Sequence, residues 1–263
     1  MDFGFEGKVA VVTGASKGIG LAVVRAFAEE GAKVVAGSRR PGEALEELAG
    51  KHPVVPVPVD LNTAEGPGKL VARAVEEFGG VDVLVNNVGG AEPRLEGFLS
   101  ITDEDWLGTL EFNLMSAVRA SRAALPHLLE NGGAVVNVSS INGRLPRPPV
   151  ADYAASKAAM TNLSKALSEE FSPQGVRVNA VSPGPVRTPL WTGEGSFGDQ
   201  LAGAMGVELE DFLDAIPEHD GLTIGRMISP EEVAAAVLFL ASERSGGVTG
   251  SDYAVDGGLA KMI

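Results

Sequence analysis

The sequence contains no cysteine among its 263 residues. This absence excludes disulfide bonds, thiolate metal sites and thiol nucleophiles, and it fits a protein of the reducing cytoplasm. The chain also has few histidines. His52, His127 and His219 lie far apart, without the spacing of metal ligands, so we expect no metal site.

Long apolar runs are absent, as is the basic start followed by an apolar stretch that marks a secretory signal. Basic residues are outnumbered, because 21 lysines and arginines stand against 35 aspartates and glutamates and give a formal net charge of −14. Nucleic acids and anionic membranes favour the opposite sign. We therefore expect a soluble, cytoplasmic protein without a membrane or nucleic-acid partner.

The chain instead alternates short β-branched runs with segments of helical periodicity. Such alternation predicts parallel strands joined by right-handed helical crossovers. It indicates one domain over residues 1–263, with a doubly wound α/β fold of the Rossmann type: a parallel seven-stranded sheet with helices on both faces. The predicted strands are residues 8–14, 33–38, 53–60, 81–87, 134–140, 176–182 and 252–258.

One stretch, residues 183–229, is rich in glycine and proline and shows no regular pattern. Long irregular insertions in compact domains commonly form lids or binding loops. We expect a substrate-binding lid at about 187–229.

A glycine-rich turn, TGASKGIG at residues 13–20, joins the first strand to the first helix. Gly14, Gly18 and Gly20 would let the backbone approach a pyrophosphate, which the free N–H groups of the helix N-terminus would bind. The spacing differs by one residue from the usual dinucleotide fingerprint. Its position at the start of the fold nevertheless favours dinucleotide binding over tight packing alone.

The second predicted strand ends in GSRR, residues 37–40. Proteins that prefer NAD usually place a carboxylate here to bind the ribose 2′-hydroxyl. This chain offers Ser38 and Arg39, together with Lys17 from the glycine-rich turn, a combination that favours the 2′-phosphate of NADP. A solvated basic turn is the alternative, and it suits Arg40 better.

These and further motifs resemble the short-chain dehydrogenases/reductases in order and spacing from end to end. The matching pieces are TGASKGIG, VDL at 59–61, NNVGG at 86–90, Asn113, NVSSINGRLP with Ser140, YAASK with Tyr153 and Lys157, NAVSPGPVRTPL at 179–190 and DGG at 256–258. Within the family the chain is most similar to 3-oxoacyl-[acyl-carrier-protein] reductase-like members. Val88 departs from the family's usual alanine, and we expect slight repacking there.

The resemblance implies the roles of individual residues. Asn113, Ser140, Tyr153 and Lys157 would be catalytic, with Asn113 holding a water that links Lys157 to solvent. Tyr153 and Lys157 would also bind the cofactor. Besides Gly14, Lys17, Gly18, Gly20, Ser38 and Arg39, the implied cofactor-binding residues are Ser16 and Ile19 of the glycine-rich turn, together with Asp60, Leu61, Asn87, Gly89, Val186 and Thr188.

Tyr153 and Lys157 stand four residues apart and so share one face of a predicted helix. Reduction of a ketone by hydride leaves an alkoxide that needs a proton. A phenol titrates near pH 10, and we expect Lys157 and the positive charge of an oxidised nicotinamide to lower that pKa. The sequence thus predicts an NADP(H)-dependent oxidoreductase that interconverts a ketone and a secondary alcohol.

Other interpretations stay open. The chain could be an NAD-linked alcohol dehydrogenase of the same fold working oxidatively, or a catalytically silent dinucleotide-binding scaffold. Taken singly, Ser140 could be a turn residue, Asn113 a polar group bonded to backbone, and Tyr153 a packed ring.

The substrate is expected to be a small carbonyl or alcohol compound, a thioester or another largely apolar ketone. The residues expected to cover it are Trp191, Phe197, Leu201, Met205, Phe212 and Leu213. The resemblance adds residues 92–94 and 141–144 as pocket walls. It also implies a homotetramer formed through the long helices that carry Asn113 and Tyr153.

Overall fold

A single sheet of seven parallel strands organises the protein in the computed structural model, which describes residues 3–261. Its spatial order is β3-β2-β1-β4-β5-β6-β7. The chain places β2 and β3 on one side of β1 and then β4 to β7 on the other, so the strand order reverses at the boundary between β1 and β4. The strands are β1 (Val9–Thr13), β2 (Lys33–Ser38), β3 (Val54–Pro58), β4 (Val83–Asn86), β5 (Gly133–Val138), β6 (Val176–Pro183) and β7 (Asp252–Val255). All seven predicted strands are confirmed.

Helices cover both faces of the sheet, because successive strand residues point to opposite sides. On β1, Val12 packs into the core under α1 (Gly18–Glu29), α2 (Glu43–Ala49) and α9 (Pro230–Ala241). Its neighbour Val11 packs into the core under α3 (Gly66–Phe78), α5 (Ser116–Asn131) and α6 (Ala151–Phe171). The Rossmann-type α/β fold in one domain is confirmed.

The long helix expected to carry Asn113 is interrupted. It consists of α4 (Asp103–Leu110), a π-helical turn (Glu111–Met115) and α5. Asn113 lies in the π turn and is fully buried. Such turns widen a helix locally and occur frequently at functional sites.

The stretch expected to be irregular contains two helices, α7 (Phe197–Met205) and α8 (Leu209–Asp220). The α7 helix begins where Ser196 Oγ accepts a hydrogen bond from the backbone N–H of Asp199. It ends at Gly206, which adopts a left-handed conformation. Both signals are present in the sequence, but the density of glycine around them hid the helical pattern. Within residues 3–261, no helix is both long enough and apolar enough to cross a membrane.

Candidate active site

The carboxyl ends of the central strands open into a cavity of about 570 Å³, a size typical of small-molecule sites. The cavity lies at the point where the sheet reverses its order, which is where open α/β sheets bind ligands. Of the residues predicted to be catalytic or to bind the cofactor, Asn113 alone is absent from its wall in the described part of the chain. The wall includes Gly14, Ser16, Lys17, Gly18, Ile19, Gly20, Ser38, Arg39, Asp60, Leu61, Asn87, Gly89, Ser140, Tyr153, Lys157, Val186 and Thr188.

The glycine-rich turn is held tightly against the end of β4. Asn87 Nδ2 donates to the carbonyls of Thr13 and Gly14, both at 3.0 Å. A Cβ on Gly20 would lie 2.2 Å from the carbonyl oxygen of Gly14, so only glycine fits. Thr13, which the sequence analysis missed, accepts hydrogen bonds from the backbone N–H groups of Asn87 and Val88 through its buried Oγ1.

Unpaired donors surround this turn. The α1 helix has no side-chain cap at its N-terminus, so its first N–H groups face the cavity without a partner from the helix itself. Ser38 Oγ is buried and has no hydrogen-bond partner among the residues that the structure describes. Within residues 3–261, Lys17 and Arg39 line the cavity and form no ion pair. The donors and cations fit the phosphates of a dinucleotide.

The phenol and the ammonium of the YAASK motif lie on the first turns of α6. Lys157 is 3% exposed, and its Nζ donates to the carbonyl of Val138 at 2.9 Å. The same Nζ lies 5.8 Å from the centroid of the Tyr153 ring. A Cβ on Gly89 would lie 3.0 Å from Lys157 Nζ and 2.8 Å from Asn113 Oδ1, so glycine at this position permits the three residues to come together.

Ser140 follows β5 and is oriented by a local hydrogen bond. Its Oγ accepts from the backbone N–H of Asn142 at 3.1 Å, which leaves its own proton available to a second acceptor. Because Ser140 and Tyr153 line the same cavity, two hydroxyl donors converge on the space next to the glycine-rich turn.

Asn113 forms hydrogen bonds with the backbone of Gly90 through both the oxygen and the nitrogen of its side-chain amide. Oδ1 accepts from the N–H of Gly90 at 2.9 Å, and Nδ2 donates to the carbonyl of Gly90 at 3.0 Å. The side chain therefore fixes the chain after β4, close to Lys157. The water-holding role implied by the resemblance stays a prediction.

Burial controls the ionisation of both helix residues. It raises the pKa of Tyr153 above its ordinary value, and an interaction with Ser140 opposes this shift only in part. Burial also lowers the pKa of Lys157 to about 8. In the protein alone, desolvation of the phenolate is therefore the largest effect on this pKa. The expectation that Lys157 and an oxidised nicotinamide together lower the pKa of Tyr153 stays a prediction.

This shift can be measured because the chain has two tyrosines. In an alkaline titration of the protein alone, followed by the near-ultraviolet absorbance of tyrosinate, we expect Tyr153→Phe to remove an ionisation step above pH 10. Loss of a step below pH 10 in that variant would contradict the assignment. Adding oxidised cofactor is expected to move the step of Tyr153 to lower pH, since a nearby positive charge stabilises the tyrosinate.

A partly buried ion-pair cluster, which the sequence did not indicate, holds the start of α6 in place. Arg94 donates to Asp152 at 2.6 Å and to Asp105 at 3.0 Å. Asp152, which is 2% exposed, also accepts from Thr109 and from the backbone N–H of Tyr153. The expectation that residues 92–94 form a pocket wall is wrong, because they lie outside the cavity wall and the Arg94 guanidinium is held by these two carboxylates.

Two further expectations need correction. Leu213 does not line the cavity but is buried against Ile216 and Met227, because it is rotated about 100° around α8 from Phe212. Arg144 pairs with Asp252 at 2.7 Å instead of forming a pocket wall, and Gly143 is also outside the wall. The other predicted apolar residues of this region do line the cavity: Trp191, Phe197, Leu201, Met205 and Phe212, and from the second pocket segment Ile141 and Asn142. No group of three metal-ligating side chains occurs in the described part of the chain.

Known proteins are similar to this chain over nearly its whole length. A family model described as enoyl-(acyl carrier protein) reductase matches residues 14–260. The 3β-hydroxysteroid dehydrogenase 1 of Eggerthella lenta is 37% identical over 263 residues, covering 97% of this chain and 94% of that protein. The 3-oxoacyl-[acyl-carrier-protein] reductase of Thermotoga maritima is 36% identical, with 97% of this chain and 98% of that protein covered.

A solved structure is similar over its whole length. The L-sorbose reductase of Gluconobacter frateurii, complexed with NADPH and L-sorbose, has a TM-score of 0.92 to this protein and 37% sequence identity, with 100% of both chains covered. Since the family model and the relatives span almost the entire chain, the protein belongs to the short-chain dehydrogenase/reductase family of oxidoreductases.

Proposed function

We propose that the protein is an NADP(H)-dependent oxidoreductase that interconverts a ketone and a secondary alcohol. One observation carries the proposal: the hydroxyls of Ser140 and Tyr153 line the same cavity as the glycine-rich turn and the cations Lys17 and Arg39. A nicotinamide bound there would supply or accept the hydride. A silent scaffold would have no need for the two converging hydroxyls or for the buried Lys157 beside them.

Each residue at the carbonyl end has a distinct task in this proposal. Tyr153 transfers a proton to the substrate oxygen during reduction and takes it back during oxidation. Ser140 donates a hydrogen bond to the same oxygen while negative charge builds. Lys157, held by the Val138 carbonyl, stabilises the tyrosinate. Asn113 positions the backbone at Gly90 next to this group.

The proposed preference for NADP over NAD is based on the end of the cavity that would bind the phosphates of the cofactor. Lys17 and Arg39 carry positive charge there, and the GSRR turn offers no carboxylate to the ribose. That the similar L-sorbose reductase was solved with NADPH supports this choice. The alternative is an NAD-linked enzyme that works oxidatively. Steady-state rates measured with NADP(H) and with NAD(H) would distinguish the two.

Arg39→Ala is expected to lower kcat/KM for NADPH by about 10- to 100-fold, the effect of losing one hydrogen-bonded contact to a charged group. The value for NADH should change little, because only NADPH carries the 2′-phosphate. Initial rates at varied cofactor concentration, with the same ketone, measure both quantities.

Arg40→Ala is the matched control, since Arg40 is exposed and lies outside the cavity wall. It should retain the NADPH preference. Two results would refute the assignment of Arg39 to the 2′-phosphate. One is a wild-type kcat/KM that is higher for NADH than for NADPH. The other is an equal loss of kcat/KM for both cofactors in Arg39→Ala.

Three remaining expectations belong to the same proposal. We propose that residues 187–229 form the substrate lid, which is supported by the apolar side chains that α7 and α8 direct into the cavity. The homotetramer and the cytoplasmic location stay predictions. Exposed apolar side chains around α4, such as Phe98, Leu99 and Leu107, are compatible with contacts between copies.

A further inference from the structure

We propose that the substrate is an uncharged, predominantly apolar ketone that is free in solution. On this view it is neither a thioester carried by a polyanionic group such as coenzyme A nor a polyhydroxylated sugar. The inference rests on the proposed function and concerns the part of the cavity beyond Ser140 and Tyr153.

The first observation is the apolar wall of this part of the cavity. The segment 187–229 and the chain around the start of α6 contribute mainly hydrocarbon and aromatic surface, and Trp191 and Phe197 stack edge to face with ring centroids 5.0 Å apart. This surface is contributed by Ile141, Pro149, Val150, Trp191, Phe197, Leu201, Met205, Phe212, Ile216 and Leu259. Such a wall favours a hydrocarbon skeleton, since burying apolar area removes it from water.

The second observation is that polar groups in this wall are already engaged. Arg147 donates to Asp220 at 2.7 Å, and His219 Nδ1 lies 2.9 Å from the same carboxylate. Each hydroxyl of a sugar would need a hydrogen-bond partner on entering the cavity, and a buried hydroxyl without one costs about 1–3 kcal/mol. Beyond Ser140 and Tyr153, the described part of this wall offers the neutral hydrogen-bonding groups of Asn142 and the indole N–H of Trp191, fewer than the hydroxyls of a sugar would need.

The third observation is the charge around this part of the cavity. The segment 187–229 has eight acidic residues and two arginines. Both arginines are paired, Arg187 with Glu210 and Arg226 with Glu232, each at 2.7 Å. The α8 helix directs Phe212 and Ile216 into the cavity and exposes Asp211 and Glu218 to solvent.

Each cation that lines the described part of the cavity is already assigned to the cofactor, buried or paired, so a second polyanion would meet no available cation there. Lys17 and Arg39 lie at the end assigned to the cofactor, Lys157 is buried beside Tyr153, and Arg147 is paired with Asp220. A substrate attached to a chain of phosphates would therefore approach a negative surface without a compensating site. Repulsion of this kind lowers the association rate and weakens as salt is added.

The test compares one carbonyl group on two carriers. Acetoacetyl-N-acetylcysteamine and acetoacetyl-coenzyme A present the same β-keto thioester, the first neutral and the second polyanionic. We expect kcat/KM with NADPH to be at least about tenfold higher for the neutral thioester at low ionic strength, and the ratio to shrink as salt rises. The kcat/KM for a bicyclic ketone such as trans-1-decalone should exceed that for L-sorbose by about 100-fold or more.

A charge-reversed variant tests the cause. Asp211→Lys combined with Glu218→Lys should raise the ratio of kcat/KM for acetoacetyl-coenzyme A to kcat/KM for the neutral thioester by at least about fivefold at low ionic strength. Glu76→Lys combined with Glu130→Lys is the matched control, because it makes the same change in net charge at exposed sites on α3 and α5, outside the cavity wall. It should leave the ratio of the two thioesters as in the wild type.

The outcomes separate the two proposals. Equal or better use of acetoacetyl-coenzyme A at low salt would overturn the exclusion of polyanionic carriers, and equal or better use of L-sorbose would overturn the apolar specificity. Either result leaves the oxidoreductase activity intact. Absence of turnover for every ketone with both NADPH and NADH would instead refute the proposed function, and with it this inference.

Discussion

Tyr153→Phe is expected to reduce kcat for ketone reduction by about 10³-fold, within the range that one general acid contributes. The substitution removes the phenol proton and preserves the ring, which is half-buried beside Lys157. The glycine-rich turn and the cations that would bind the phosphates are untouched. Steady-state consumption of NADPH measures the loss, and a fluorescence titration with NADPH is expected to give a dissociation constant close to that of the wild type.

The second tyrosine of the chain supplies the control. Tyr253 lies on β7 and is 48% exposed, and it does not line the cavity. Tyr253→Phe should keep the wild-type rate. If Tyr153→Phe retained kcat within tenfold of the wild type, Tyr153 would not be the proton donor and the mechanism proposed for this cavity would be wrong.

The largest expected effect on stability concerns Arg177 of β6. Its guanidinium donates to the carbonyls of Leu240, Ala241 and Ser242, at 2.6, 3.0 and 2.9 Å, at the end of α9. The positive charge also opposes the negative end of the α9 dipole. Burial lowers the pKa of Arg177, and these carbonyls accept the hydrogen bonds that the buried guanidinium would otherwise make with water.

Arg177→Met is expected to lower the free energy of unfolding by about 3 kcal/mol, because several carbonyls lose a charged donor while the aliphatic stem is retained. Urea denaturation followed by circular dichroism measures the change. Arg40→Met, at an exposed loop position, should change stability by less than about 0.5 kcal/mol. Similar small effects for both variants would show that Arg177 is not the main cap of α9.

The sequence predicted the strands well because parallel strands covered on both faces are apolar throughout. Runs such as VAVVT in β1 are buried at every position and so stand out from the polar helices between them. It predicted the two helices within 183–229 poorly, because the glycines around them resemble a loop. Ser196, a residue type favoured at helix N-caps, marks the start of α7, whereas the glycine-rich composition suggests no helix there.

The residues of the cavity wall were predictable where a short motif carries them, as with the glycine-rich turn and the YAASK motif. Arg94 and Asp152 were not, since 58 positions separate them and neither residue type alone indicates a partner. The assignment of Leu213 failed for a related reason. Two neighbouring apolar residues of one helix point in different directions, and only Phe212 faces the cavity.

By itself, the sequence determined the family of the fold, the turn that would bind phosphate, and the hydroxyl and amine residues of the proposed chemistry, because each depends on local spacing along the chain. The tertiary structure alone decided how these groups ionise and what surrounds them. Folding half-buries Tyr153 and buries Lys157, and so shifts both pKa values against the charged forms, a desolvation effect that depends on packing from distant segments. Folding likewise places an apolar wall inside the cavity and acidic residues outside it, the contrast on which the proposed substrate class depends.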